Sequence, residues 1–445
     1  MANEVGDAAR TEIEKVVADC AARGRVAQFG AGKGDKPVIR ADFLEDLALD
    51  QPARGIRIRG VRVDGTVDLS FATLAALVLE DCELPEKLDV TGARLGRLSI
   101  NGSRFSHLVA RGATIAGGLN FGNAGPFDET GWIDAGRATI RGGVDGCGAQ
   151  LKSPPPRPKE DVLAWEHNYA LRLSETDIQG NVVLNAVFNG PNPPPDKAFV
   201  ADGGICLDDA HIQGSLWLRG AEVIAGEGDI YHPADALHAH AVVIEGFMGI
   251  NFGFHTKGRV WLQGARIRER LSIGVEYENR MEKVDELYDW GGRLMNQTVL
   301  LHLDQAEIGG SLLIGPVVIE GAIGMAYTQV RRGVSIHGQI KNKSPDGMAF
   351  AINARGAQVG GDFLVNRSLL AEGRISLANA TIDGCFNATG ATLDNQTEDG
   401  RGTALDFENA QVSRGCLPLG LETGDAPGVS ILGRVNFANA RTNTD

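Results

Sequence analysis

His238 and His240, two residues apart in the segment ALHAHAV, are the nearest this sequence comes to a metal-ligand pattern. On an extended segment such residues share one face, and His232 and Asp235 lie close enough in sequence to join them. Outward-facing wall histidines have the same spacing, and we adopt that reading, with no metal site. Other chemistries lack their patterns. There is no H-E-x-x-H, no C-x-x-C and no G-x-S-x-G. GAGKGDK at Gly30–Lys36 is glycine-rich but is not a phosphate loop, and reads as a linker. No G-x-G-x-x-G opens a helix after a strand, so no cofactor is expected. The six cysteines (Cys20, Cys82, Cys147, Cys206, Cys385, Cys416) are scattered and read as free thiols. Trp217 and Trp261 fall at outward positions of their triplets. They could be sugar platforms over paired carboxylates, or pack beneath an insertion. No catalytic residue is assigned.

What positions these residues is a repeat. From Ala72 the chain reads ATLAA, LVLED, CELPE, one extra residue at Lys87, then LDVTG, ARLGR, LSING, SRFSH, LVARG, ATIAG. The third residue of each block is Leu74, Leu79, Leu84, Val90, Leu95, Ile100, Phe105, Ala110 and Ile115, and the first is apolar or small. An apolar-x-apolar triplet directs two side chains to one face of an extended segment, and the remaining two residues turn the chain. Four such sides make a square coil of roughly twenty residues. Ala72 to Ala93 is 21 residues and Ala93 to Ala113 is 20, as that requires. Farther on the unit becomes A-x-I-x-G-x-L-x-L, as in AEIGGSLLI from Ala306 and AQVGGDFLV from Ala357. Ala306 to Ala357 is 51 residues and Ala357 to Ala410 is 53, a superperiod of two decorated coils. The fold expected is all-β: a right-handed parallel quadrilateral β-helix over 51–440 with lateral insertions. A short helical cap over 1–50, with helices at 4–23 and 40–48, precedes it, and a tail at 441–445 follows.

The insertions fall at about 122–132, 152–169, 189–204, 225–236, 274–298, 339–349, 394–403 and 420–430. The spacing places them mostly at one corner of the coil, where loops of a solenoid commonly bind partners. They concentrate the aromatics Trp132, Trp165, Tyr231, Tyr277, Tyr288 and Trp290, with Tyr169 at a margin. These seven are the candidate partner-binding strip; the plainer role is packing the loops onto the wall. The stretch Glu276 to Trp290 reads as helical, with Tyr277, Met281, Val284 and Tyr288 in one stripe.

Charge narrows the partners. The formal net charge of −14 disfavours nucleic-acid phosphates and anionic membranes. The wall from 51 to 150 holds 11 Lys+Arg and 11 Asp+Glu, so it is no polyanion surface. There is no basic-then-apolar leader and no run of about 18 apolar residues, so a soluble cytoplasmic protein is expected. The last repeat strand sits almost at the end of the sequence, which suggests a homodimer through that end.

The blocks ATLAA, CELPE, ARLGR, SRFSH and ATIAG resemble pentapeptide-repeat proteins. The A-x-I-x-G-x-L-x-L units, with ALHAHAVVIEG at Ala236 and RVWLQGARI at Arg259, resemble a second group, bacterial β-helical proteins often labelled membrane-associated oxidoreductases. The likeness covers about residues 40–440. It implies the β-helix and, for some pentapeptide-repeat proteins, mimicry of DNA toward topoisomerases. The function expected is a non-enzymatic scaffold whose decorated face binds another protein. The alternatives are a carbohydrate-active β-helix enzyme, lyase or hydrolase, and a topoisomerase-binding DNA mimic.

Overall fold

The computed structural model describes residues 10–30, 36–153, 169–187, 198–225, 235–251, 253–274, 299–365, 368–414 and 428–442, and the backbone of 277–279, 287–288 and 294–295. Within these, short strands pair in parallel with the strands one coil away, and the fold is an all-β parallel β-helix. The chain divides into two compact units, Met1–Gly214 and Ser215–Asp445.

The first unit opens with two helices. In α1 (Glu12–Ala22) the Thr11 side chain accepts from the Glu14 amide and the Glu14 carboxylate accepts from the Thr11 amide, a reciprocal cap. Glu14 is fully buried. Burial opposes its charge, yet the Thr11 and Arg40 donors hold its carboxyl below the usual range. The second helix, α2 (Ala41–Leu49), buries Phe43, Leu44 and Leu47. Strand pairing begins already here: Ala27–Gln28 pairs with Ile58–Arg59, and Val38–Arg40 with Arg62–Asp64.

Each coil has four strand positions. In the coil from Ala93 they are Arg94–Leu95 (first wall), Leu98–Ser99 (second), and the two halves of Arg104–Val109 (third and fourth). The inward direction follows from the five-residue period. All nine third-position residues, Leu74 to Ile115, are buried. The polar exception among first positions, Ser103, is also buried; its hydroxyl donates to the Leu79 carbonyl and accepts from the Cys82 amide. Like residues stack in register, as Leu77, Leu98 and Leu119 do. After the fourth wall the chain turns on a left-handed residue. Asp89 accepts from the Thr91 amide and Gly92 follows at φ 64°; Asp134 accepts from Gly136 and Arg137 follows at φ 60°.

The second unit repeats this plan. In one coil Glu307–Ile308 is the first wall, Leu312–Ile319 the second and third, and Ala322–Gly324 the fourth. The decorated coils correct the placement of insertions. Most lie between the third and fourth walls, as expected: 127–131 and 153–170 in the first unit, and 225–234, 342–349 and 395–402 in the second. The 189–204 insertion instead leaves one corner earlier, between Val182–Val183 on the second wall and Val200–Asp202, which is a third-wall strand within its last residues. Ser430–Leu432, at the end of the 420–430 insertion, is likewise a third-wall strand. Unequal coil lengths hide which side an insertion leaves from. The helix expected at Glu276–Trp290 is also corrected where the residues are described. Tyr277–Asn279 is a third-wall strand paired with both flanking coils, and Leu287–Tyr288 forms an antiparallel pair with Leu294–Met295. Backbone pairing on both sides overrides a local helical stripe.

Candidate functional site

Of the seven aromatics of the candidate strip, Trp132 and Tyr169 have described side chains. Trp132 is half-buried on the fourth wall of the first unit. It sits in register with His107, and the rings stack 5.4 Å apart within 1° of parallel. His107 is tied to Ser106 (3.1 Å), which reaches Thr130 (3.2 Å); burial, then Lys87, pushes the imidazole pKa down. Tyr169 is half-buried just before the strand Leu171–Arg172. Tyr277 and Tyr288 lie in the strands named above, and their side chains are outside the described set. Trp165, Tyr231 and Trp290 lie outside the described residues, as does His232.

The second unit holds a denser fourth-wall cluster. His238, Trp261 and His302 occupy one register column on three successive coils. His238 stacks on Trp261 at 4.9 Å, and His302 lies 5.7 Å away on the next coil. The Arg259 guanidinium sits 3.8 Å from the ring centroid, and the indole N–H donates to Gln263. Behind them Asp235, 7% exposed, accepts from Arg259 at 2.6 and 3.1 Å and pairs with His238 Nδ1 at 2.9 Å. Burial opposes its charge, but His238 and then Arg259 hold its carboxyl below the usual range. His302 Nε2 faces Asp304 at 3.0 Å, and Asp304 accepts from the Ala326 amide. His238 Nδ1 and His302 Nε2 are thus each committed to a carboxylate. Among the described residues no group of three His, Cys, Asp or Glu is arranged to hold a metal ion. Trp261 has a histidine ring neighbour on each flanking coil, His238 and His302. Trp217, the other sugar-platform candidate, is packed edge-on against Phe247 at 3.8 Å.

The glycine-rich segment ends in Lys36, whose ammonium donates to the Asp81 carbonyl at 2.7 Å and lies 3.7 Å from Glu83. Burial, with a nearby aspartate, pushes the Cys147 and Cys206 thiols up to about 11 and about 12, far from a nucleophile's range. No helix among the described residues is long and apolar enough to cross a membrane.

The feature that sequence reading missed is how two insertions of the second unit join. Residues 342–349 fold around Ser344 and Asp346. The Ser344 hydroxyl accepts from the amides of Met348 and Ala349 at 3.1 and 2.9 Å, and Asp346 accepts from Met348 at 3.0 Å. Residues 395–402 repeat the chemistry: Thr397 accepts from Arg401 and Gly402, and Asp399 from Arg401. Both contain [S/T]-x-D-G, SPDG from Ser344 and TEDG from Thr397, a turn signal with a mechanism. The two are then locked together. Asn395 is fully buried and donates to the carbonyls of Gly347 (2.9 Å) and Thr403 (2.8 Å). Lys343 bridges both Asp394 oxygens at 2.9 and 3.0 Å. Gly347 has φ 67°, and a Cβ there would come within 2.6 Å of the Thr397 methyl. Outside the lock Met348 is 58% exposed, and Arg374 lies 5.4 Å over the neighbouring Phe350 ring.

No protein-family model, curated protein or solved structure matches the chain. Its function is therefore argued from this geometry.

Proposed function

We propose that the chain is a non-enzymatic scaffold that holds a partner protein on the interlocked insertions of its second unit. One observation carries this: residues 342–349 and 395–402 are fixed to each other through Asn395 while Met348 stands exposed beside Arg374 and Phe350. A loop ordered before binding loses less conformational entropy on binding, so its contacts count more fully toward affinity. Met and Arg are enriched in protein interfaces, and an unbranched thioether adapts to a partner's shape. A solenoid corner that carries insertions on alternate coils supplies the breadth such a contact needs.

The test is site-specific photo-cross-linking in the full chain. A cross-linkable residue at position 348 or 401 should capture one stoichiometric protein, and the same residue at Arg57, on the second wall of the first unit, should not. Capture at 348 should fall in an Asn395→Ala background. Equal capture from all three positions, or none from 348 and 401, would remove the proposal. Cross-linking of the chain to itself would replace the foreign partner by self-association.

A further inference from the structure

The first wall of the second unit carries a groove of about 960 Å³ spanning successive coils. Most of its charges are already neutralised. Arg268 pairs with Glu245 at 2.9 Å, and Arg266 faces Glu307 at 3.7 Å. Arg331, which lines the groove, and its neighbour Arg332 are different. Both are exposed, and neither side chain makes an ion pair or hydrogen bond among the described residues. The same holds for the Gln329 and Gln358 amides, which stand in register on adjacent coils beside them.

The spacing along the wall is unusual. Pairing of Glu307–Ile308 with Gln329–Val330, and of these with Gln358–Val359, sets Gly309–Gly310 before the two arginines and Gly360–Gly361 after them. The columns read GG, RR, GG. A Cβ at Gly309 would lie 2.1 Å from the Arg268 carbonyl, and one at Gly360 2.3 Å from the Arg331 carbonyl. Coil packing therefore forbids side chains there. On the coils before and after, the positions in register with the arginines carry no side chain.

We propose that this groove binds an acidic segment of a polypeptide, with its carboxylates on Arg331 and Arg332 and its backbone on the Gln329 and Gln358 amides. The guanidinium fork fits a carboxylate with two parallel bonds, and a primary amide can both donate to and accept from a peptide unit. A polyanion is the wrong occupant. The chain carries −14, and the exposed Asp383 carboxylate lines the same groove, so the site suits one or two negative charges. This site is separate from the insertion corner, and either could fail without the other.

The experiment pans a random decapeptide library on the full chain, then measures the selected peptides by fluorescence anisotropy. Binders should be rich in Asp and Glu. Affinity should drop at least about tenfold in the R331Q/R332Q variant, the scale of a lost charge-assisted bond. Replacing the peptide's Glu by Gln should cost as much, and the two losses should not add. R268Q, at an arginine already paired, should leave affinity within about twofold. An unchanged melting curve for R331Q/R332Q confirms folding, as expected for two exposed side chains without partners. The proposal falls if no acidic binder emerges or if binding ignores the double substitution. It also falls if inorganic phosphate displaces the peptides as well as free acidic peptide does, which would make this a small-anion site.

Discussion

Around Leu98 the chain is held by apolar side chains repeated in register on successive coils, with no titratable group among the inward residues from Leu95 to Phe105. Around Asn395 it is held by amides, hydroxyls and carboxylates, with one lysine bridging two loops. The coil gains stability from burial, which is non-directional and tolerant of small shifts. The loops gain shape from directional bonds, each modest in net energy but costly to leave unmade when buried. A repeat built by burial can be extended coil after coil. A surface built by directional bonds can be altered at one position without dissolving the coil beneath it.

Substitution should separate the two. Phe105→Ala removes a fully buried ring paired in register with Leu84 and should cost about 3–5 kcal/mol, read as a lower urea midpoint. Asn395→Ala leaves the Gly347 and Thr403 carbonyls without their donor and should cost about 1–3 kcal/mol. Its effect should be local, seen as faster amide exchange in 342–349 and 395–402 while the Leu98 coil stays protected. If Asn395→Ala lowered the global midpoint as far as Phe105→Ala, the two regions would be one cooperative structure and the contrast would fail.

Acid should act more strongly on the loops, where three carboxylates are held low, than on the 72–115 coils, where, against burial, Thr91 and Lys87 hold Asp89 low. The Asp346 carboxyl is held low by Ser344 and then the Met348 amide, and Asp399 by Thr397 and then the Arg401 amide. Burial opposes the charge of Asp394, but Lys343 holds it low too. A carboxylate depressed in the folded state stabilises fully above its unfolded value, about 3.9, and loses that contribution as pH falls through the lower folded value. The loops should therefore loosen below about pH 4 while the 72–115 coils, with Asp89 alone among their carboxylates held low, loosen less. Pepsin, active in that range, should cut within 342–349 and 395–402 first. Cleavage in the 72–115 coils at the same rate would contradict this.

The two regions were not equally legible in the sequence. Leu79, Leu84 and Ile100 announce themselves because inward direction is a local property, repeating every five residues along the chain. Asn395 does not, because its partner carbonyl at Gly347 is 48 residues away and nothing in the intervening spacing fixes which loops meet. The shared [S/T]-x-D-G of the two loops was readable as turns, but their mutual contact was not. The surroundings of the aromatics were hidden for a related reason. Trp132 and Trp261 are each matched in register by a histidine on a neighbouring coil. Register depends on the length of every intervening insertion, which composition does not encode. The helical stripe at Tyr277–Tyr288 gave way for the same reason, since strands on both sides were already in place to pair with Tyr277–Asn279.

The smallest effect on stability should come from the residue most directly placed to touch a partner. Met348 is 58% exposed, and its amide, not its side chain, holds the loop to Ser344 and Asp346. Met348→Ala should therefore change the unfolding free energy by no more than about 0.5 kcal/mol. Its thioether lies 3.9 Å from an Arg374 nitrogen, a weak contact whose loss frees the guanidinium to turn further over Phe350. The fold at the corner survives, and what disappears is the adaptable apolar tip. Capture at position 401 should fall in this variant while amide protection of 342–349 holds. A stable loop with undiminished capture would mean that the partner contacts Arg401 and its neighbours without using Met348. A loop that lost protection would mean that the side chain supports the turn, and the line drawn here between shape and contact would have to move inward.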